Sequence, residues 1–138
     1  MAIVKISLFV MLIIGLIILV LVSIQSFTHE KIVVYGCSPE FWQNNLELWK
    51  NLGVDYNDDF DETFGKDYFD PDITLQQAIS KEGVGMDRLA SSGTAAYLNA
   101  LVDPEIDETV VKQAVHFGYI HEIDQLNEQC ERQNSSST

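Results

Sequence analysis

Basic residues are scarce in this chain. Eight Lys and Arg face 21 Asp and Glu, and Lys5 stands apart from the rest, so that beyond residue 26 seven basic side chains remain against 21 acidic, a balance of −14. A surface of that sign repels phosphate backbones and anionic lipid headgroups, which excludes nucleic-acid binding. It suits a solubilised, exposed domain, and the ligands it would attract are cations and basic partners.

Charge is missing altogether from residues 6–24. The aliphatic run from Leu8 to Val22 is about as long as a helix needs to cross roughly 30 Å of hydrocarbon, and longer than the roughly 7–15 residues of a cleavable signal core. Cutting after Ser26 would also place Ile24 where a small residue belongs. Residues 1–26 are therefore expected to be a transmembrane signal-anchor. A cleaved segment would instead leave a secreted domain. Lys5 and the amino terminus keep the short side cytoplasmic, so the rest of the chain is expected outside the plasma membrane as a single-pass protein.

Cysteine is nearly absent. Cys37 and Cys130 bracket the region able to fold, and in an exported chain an even count reads as a disulfide. In a cytosolic protein the same two thiols would be ordinary buried residues, so the compartment decides. Closing a loop of this length is worth about 4–5 kcal/mol on the chain-entropy model, comparable with the whole stability of a small domain.

Catalytic constellations are missing too. Gly83 and Gly85 have neither the preceding strand nor the following Lys-Ser of a phosphate loop. Ser91-Ser92-Gly93-Thr94 lacks a nucleophile elbow, and no apolar setting singles out one carboxylate for a raised pKa. The reading is non-enzymatic, with no catalytic residues, no small-molecule substrate and no required cofactor.

What remains is helical pattern. The 138 residues have room for one domain, expected over residues 37–131 and preceded by a linker at 27–36, in which Lys31 to Gly36 reads as extended. Ser38-Pro39-Glu40 is a helix start, with a hydroxyl cap, a proline at the first position and a carboxylate at the positive end. Phe41, Trp42, Leu46, Trp49 and Leu52 then form one apolar face up to Gly53. A second helix is expected over 73–81. A third, over 86–102, is rich in Ala and Gly and so suited to the centre of a bundle. A fourth follows the cap-and-proline signal Asp103-Pro104 and ends near Gly118. A fifth starts near Ile120, with Ile123, Leu126 and Cys130 on its inner stripe. The fold class expected is all-α, a small bundle of about five short helices outside the membrane, preceded by one transmembrane helix. The polar tail, 132–138, is expected to be disordered; it holds one glycosylation acceptor pattern at Asn134.

Two metal-like spacings occur. Asp55, Asn57, Asp59 and Asp61 mimic the start of an EF-hand loop and are the candidates for calcium, but Phe60 stands where glycine belongs and Lys66 where the bidentate glutamate belongs, so the expectation is a solvated acidic loop that Phe60, Phe64 and Phe69 pin to the core. His121, Asp124 and Glu128 share one helix face without a second histidine, a coincidence common in acidic helices.

The run Cys37-Ser38-Pro39-Glu40-Phe41-Trp42-Gln43-Asn44-Asn45-Leu46-Glu47-Leu48-Trp49 resembles the opening Cys-Thr/Ser-Pro-Gly-Tyr-Trp-Lys-Asn-His of a secreted and cell-surface domain of bacteria and archaea. Thr74-Leu75-Gln76-Gln77-Ala78, Ala95-Ala96-Tyr97-Leu98-Asn99-Ala100, Ile123-Asp124-Gln125-Leu126-Asn127 and the closing Cys130 are similar to that domain in the same order. Glu40, Gln43 and Asn45 depart from its glycine, lysine and histidine. The resemblance implies an exported home and a Cys37–Cys130 pair; it carries no reaction and no ligand. The function expected is a membrane-anchored, extracytoplasmic interaction or structural module of the cell envelope, touching an envelope or membrane protein partner. An accessory subunit of a larger membrane complex is the alternative.

Overall fold

A computed structural model describes residues 10–14, 16–17 and 37–136. The chain divides into two units, Met1–Val33 and Val34–Thr138. In the first, residues 10–14 and 16–17 are helical, and their apolar side chains are exposed. Among the described residues no helix is long and apolar enough to cross a membrane. Most of the expected anchor over 6–24, and all of the linker 27–36 with its extended segment, lie outside the described residues.

The second unit is all-α, with no strand among the described residues. Its first helix does not run unbroken to Leu52 as the apolar face suggests. It splits into α1, Pro39–Asn44, and α2, Leu46–Asn51. The break lies at Asn45, whose side-chain amide donates to the Phe41 carbonyl at 2.7 Å, while its own N–H moves one residue forward to the Trp42 carbonyl. An asparagine side chain here competes with the helix for its own backbone acceptor and wins. The kink lets both tryptophans reach the core with no exposed surface, and the Trp49 indole N–H donates to the Trp42 carbonyl at 3.1 Å.

The acidic stretch holds an extra short helix, α3, Phe60–Phe64. Asp59 caps it by accepting the Glu62 N–H at 2.7 Å, and Gly65 at φ 68° ends it in the left-handed conformation that favours glycine. Helix α4, Leu75–Ile79, is shorter than the 73–81 expected, because Thr74 and Gln77 close a reciprocal capping box that sets its start.

Helix α5, Met86–Val102, has the bounds the pattern predicts and packs against α1, α4, α6 (Glu108–Phe117) and α7 (Ile120–Ser136). Its small residues decide this: Ala90, Ala95 and Ala96 are fully buried, and a Cβ placed on Gly93 would lie 2.8 Å from Val115 Cγ2 of α6. The cap of α6 is Asp107, not Asp103; Asp103 and Pro104 belong to a separate turn that buries Ile106. Helix α7 continues to Ser136, beyond residue 131, so residues 132–136 are helical where a disordered tail is expected. The Asn134 side chain lies outside the described residues.

Cys37, directly before α1, is bonded to Cys130 on α7 across 93 residues of chain, with Cα atoms 5.9 Å apart. The bridge fastens the first element of the domain to the last.

Candidate functional site

The four residues of the EF-hand-like spacing are not gathered around a common point. Asp55 turns its Oδ1 onto the backbone and side-chain amides of Asn57 at 2.9 and 3.0 Å, and Asp59 is committed to capping α3. An EF-hand loop makes its sharp turn at a glycine in the sixth position; here a helix begins at that position, at Phe60.

Asp61 is instead brought to two partners that the spacing does not single out. After Gly65 the chain folds back, and Asp61 Oδ2 accepts the backbone N–H groups of Tyr68 and Phe69 at 2.7 and 2.9 Å. The aromatics hold this return in place: Phe69 meets the buried Phe60 edge-on, and the Tyr68 hydroxyl donates toward the carbonyls of Val115 and His116 at 2.7 and 2.8 Å. Phe60 N–H to Ile73 carbonyl and Leu75 N–H to Asp58 carbonyl, each 2.9 Å, then close the loop. One oxygen from each of Asp61, Asp67 and Asp72 falls within 4.8 Å of the other two.

This cluster carries unbalanced charge. The Asp72 carboxyl is held above its ordinary range, chiefly by the nearby negative charge of Asp59, then by burial and by Asp61, Asp67 and Asp70. Asp61 is nine-tenths buried, and its Oδ1 has no hydrogen-bond partner. A buried acceptor left unsatisfied costs about 1–3 kcal/mol, more for a charged one.

The other metal-like spacing is used up in pairs. His121 meets Gln125 at 3.3 Å, Asp124 pairs with Arg88 at 2.7 Å, and Glu128 with Arg132 at 3.5 Å. His116 Nδ1 lies 3.1 Å from the Phe64 carbonyl and joins α6 to α3.

A second polar centre is structural. Asn99, fully buried in α5, accepts from the Trp42 indole at 2.7 Å and donates to the Cys37 carbonyl and to Asn127 Oδ1, both at 2.9 Å. Asn127 in turn donates to the Ser92 carbonyl at 3.1 Å. The positions that carry the resemblance to the secreted domain, Cys37, Trp42, Asn99, Asn127 and Cys130, are thus joined in one place, where they knit α1, α5 and α7 together.

The surface depressions are shallow. One of about 350 Å³ is lined by Phe64, Lys112 and His116 among others; another of about 400 Å³ runs along α7 beside Val110 and Leu126. Comparison with protein-family models, with curated proteins and with solved structures gives no match.

Proposed function

We propose that this chain is a membrane-tethered module displayed outside the cytoplasm, which acts by contact with another component of the cell envelope and not by catalysis. The observation that carries the reading is the Cys37–Cys130 bridge. A disulfide closing nearly the whole domain is a feature of oxidising compartments, and the charge-free run over residues 6–24 stands a short distance before it in the chain. The acidic surface and the resemblance to a secreted domain agree with that placement. Phe117 and Tyr119, more than half exposed and stacked with ring centroids 5.7 Å apart at the α6–α7 turn, offer an apolar contact on an acidic protein.

The test is isolation of the protein from its native membrane in mild detergent, followed by N-terminal sequencing, intact mass and sizing. The expected result is a chain that keeps residues 6–24, stays with the membrane fraction and runs alone. A mature chain beginning near Phe27 would replace the tethered module with a secreted one. Stoichiometric co-purification of other membrane proteins would give the accessory-subunit reading instead.

A further inference from the structure

We propose that Asp61, Asp67 and Asp72 form a binding site for a divalent cation of the calcium type. Two independent observations meet there. The first is geometric: three carboxylates each contribute an oxygen to a group whose members lie within 4.8 Å of one another, the spread of oxygens that can share one ion at about 2.3–2.6 Å. The second is the state of Asp61. This side chain is nine-tenths buried and contributes one oxygen to the group, and while its Oδ2 is satisfied by the Tyr68 and Phe69 amides, its Oδ1 has no hydrogen-bond partner.

No protein cation fills that role among the described residues. The ion pairs made by Lys81, Arg88, Lys112 and Arg132 all go to other carboxylates. Lys66, the nearest basic residue in sequence, lies over the Tyr68 ring at 4.8 Å. A hard cation would neutralise the three acids together and supply the partner that Asp61 Oδ1 lacks.

Oxygen-only donors favour Ca²⁺, Mg²⁺ or Mn²⁺ over softer metals. Calcium is the choice here because Asp67 and Asp72 are exposed. Their open, solvent-facing sides suit an ion that accepts irregular geometry and completes six to eight ligands with water, whereas Mg²⁺ demands a near-ideal octahedron at about 2.0–2.1 Å. A site with three carboxylates and solvent on one side belongs to the weak class of extracellular calcium modules, with dissociation constants of about 10⁻⁴–10⁻³ M. Bound there, the ion would pin the segment between α3 and α4, since Asp61 lies on the first and Asp72 just before the second.

The test uses the full chain in detergent micelles with its disulfide intact, titrated with CaCl2 and separately with MgCl2 and followed by calorimetry and thermal melting. Saturable Ca²⁺ binding in the range of about 10⁻⁴–10⁻³ M is expected, with a rise in melting temperature and weaker binding of Mg²⁺. Asp67→Asn and Asp72→Asn, both at exposed positions, should each weaken Ca²⁺ at least tenfold without loss of helical signal. Asp55→Asn, which alters the EF-hand-like set alone, should leave binding unchanged. Absence of saturable binding up to about 10 mM Ca²⁺, equal response to both ions, or undiminished binding in the Asp67→Asn/Asp72→Asn double variant would overturn the proposal.

Discussion

The indole N–H of Trp42 donates to Oδ1 of Asn99 at 2.7 Å across 57 residues of sequence, and neither side chain is reached by solvent. The same asparagine uses its amide on the Cys37 carbonyl and on Asn127, so one polar side chain serves the first, central and last helices. Inside a low-dielectric core such a network is strong when complete and costly when one member is lost.

Asn99→Ala would leave the buried Trp42 indole without its acceptor, take one donor each from the Cys37 carbonyl and Asn127 Oδ1, and open a small cavity as well. The expected loss is roughly 3 kcal/mol or more, from two or three buried polar groups at about 1–3 kcal/mol each. Asn127→Ala, at a partly buried site, should cost less. Urea unfolding of the two variants beside the parent protein measures both, and equal stability of Asn99→Ala and parent would contradict the role of the network.

Gly93 is a glycine inside a helix, where alanine ordinarily gains about 1 kcal/mol. Here a Cβ would meet Val115 Cγ2 at 2.8 Å, so Gly93→Ala should instead destabilise, by about 1–3 kcal/mol from overpacking. Adding Val115→Ala relieves the clash, and the double variant should lose less than the sum of the two single ones. Additive losses would show that α5 and α6 do not depend on this close approach.

Reduction of the Cys37–Cys130 bond should lower stability by about 4–5 kcal/mol on the chain-entropy model. Alkylation of the folded, unreduced protein should add no mass, because both cysteines are bonded and nearly buried. Any labelling before reduction would argue against the bridge, and an unchanged denaturation midpoint after reduction would argue against its weight.

Alkaline pH should weaken the contact between α5 and α6. The Tyr97 hydroxyl is pushed above its ordinary value, mainly by burial and in spite of Lys112. The Lys112 ammonium is also raised, first by its hydrogen bond to Glu108, with Tyr97 adding to the effect. A pKa raised on folding means stability that is intact below the unfolded value and is lost as pH climbs through the folded one. Both groups therefore act in the same direction, and melting temperature should fall above about pH 10. In Tyr97→Phe that fall should be shallower; an identical profile would remove Tyr97 from the explanation.

Much of the architecture is legible locally. The bounds of α5 follow from Gly85 and Asp103 at either end of a run of helix-compatible residues, and the Thr74 and Gly118 caps act on backbone groups within four residues of themselves. The all-α class and the inward face of Cys130 come from the same short-range periodicity. The pairing of the two cysteines was legible too, because a chain with two thiols and an export-like N-terminus has one connectivity to offer.

The candidate site was legible only in part. Asp61 belongs to the EF-hand-like set, yet that spacing joins it to Asp55 and Asp59, which the fold uses for a turn and a cap. That Phe60, Phe64 and Phe69 pin this loop to the core was legible from the sequence, but which acids the resulting chain reversal gathers, Asp67 and Asp72, no local pattern encodes. Asn45 broke a helix that periodicity runs through, because a single side-chain hydrogen bond outweighed helix propensity where both tryptophans could then be buried. The sequence alone determined the all-α class and the rough positions of most helices, since those preferences act over one turn, while the Phe60–Phe64 helix, the break at Asn45, the Asp107 cap and the run to Ser136 came only with the structure. Only the tertiary structure decided which side chains meet: that Asn99 faces Trp42 and Asn127, that Gly93 lies against Val115 and that three aspartates share one corner. Such meetings are chosen by packing between residues dozens of positions apart, where burial of aromatic surface and satisfaction of buried polar groups outweigh anything a neighbouring residue prefers.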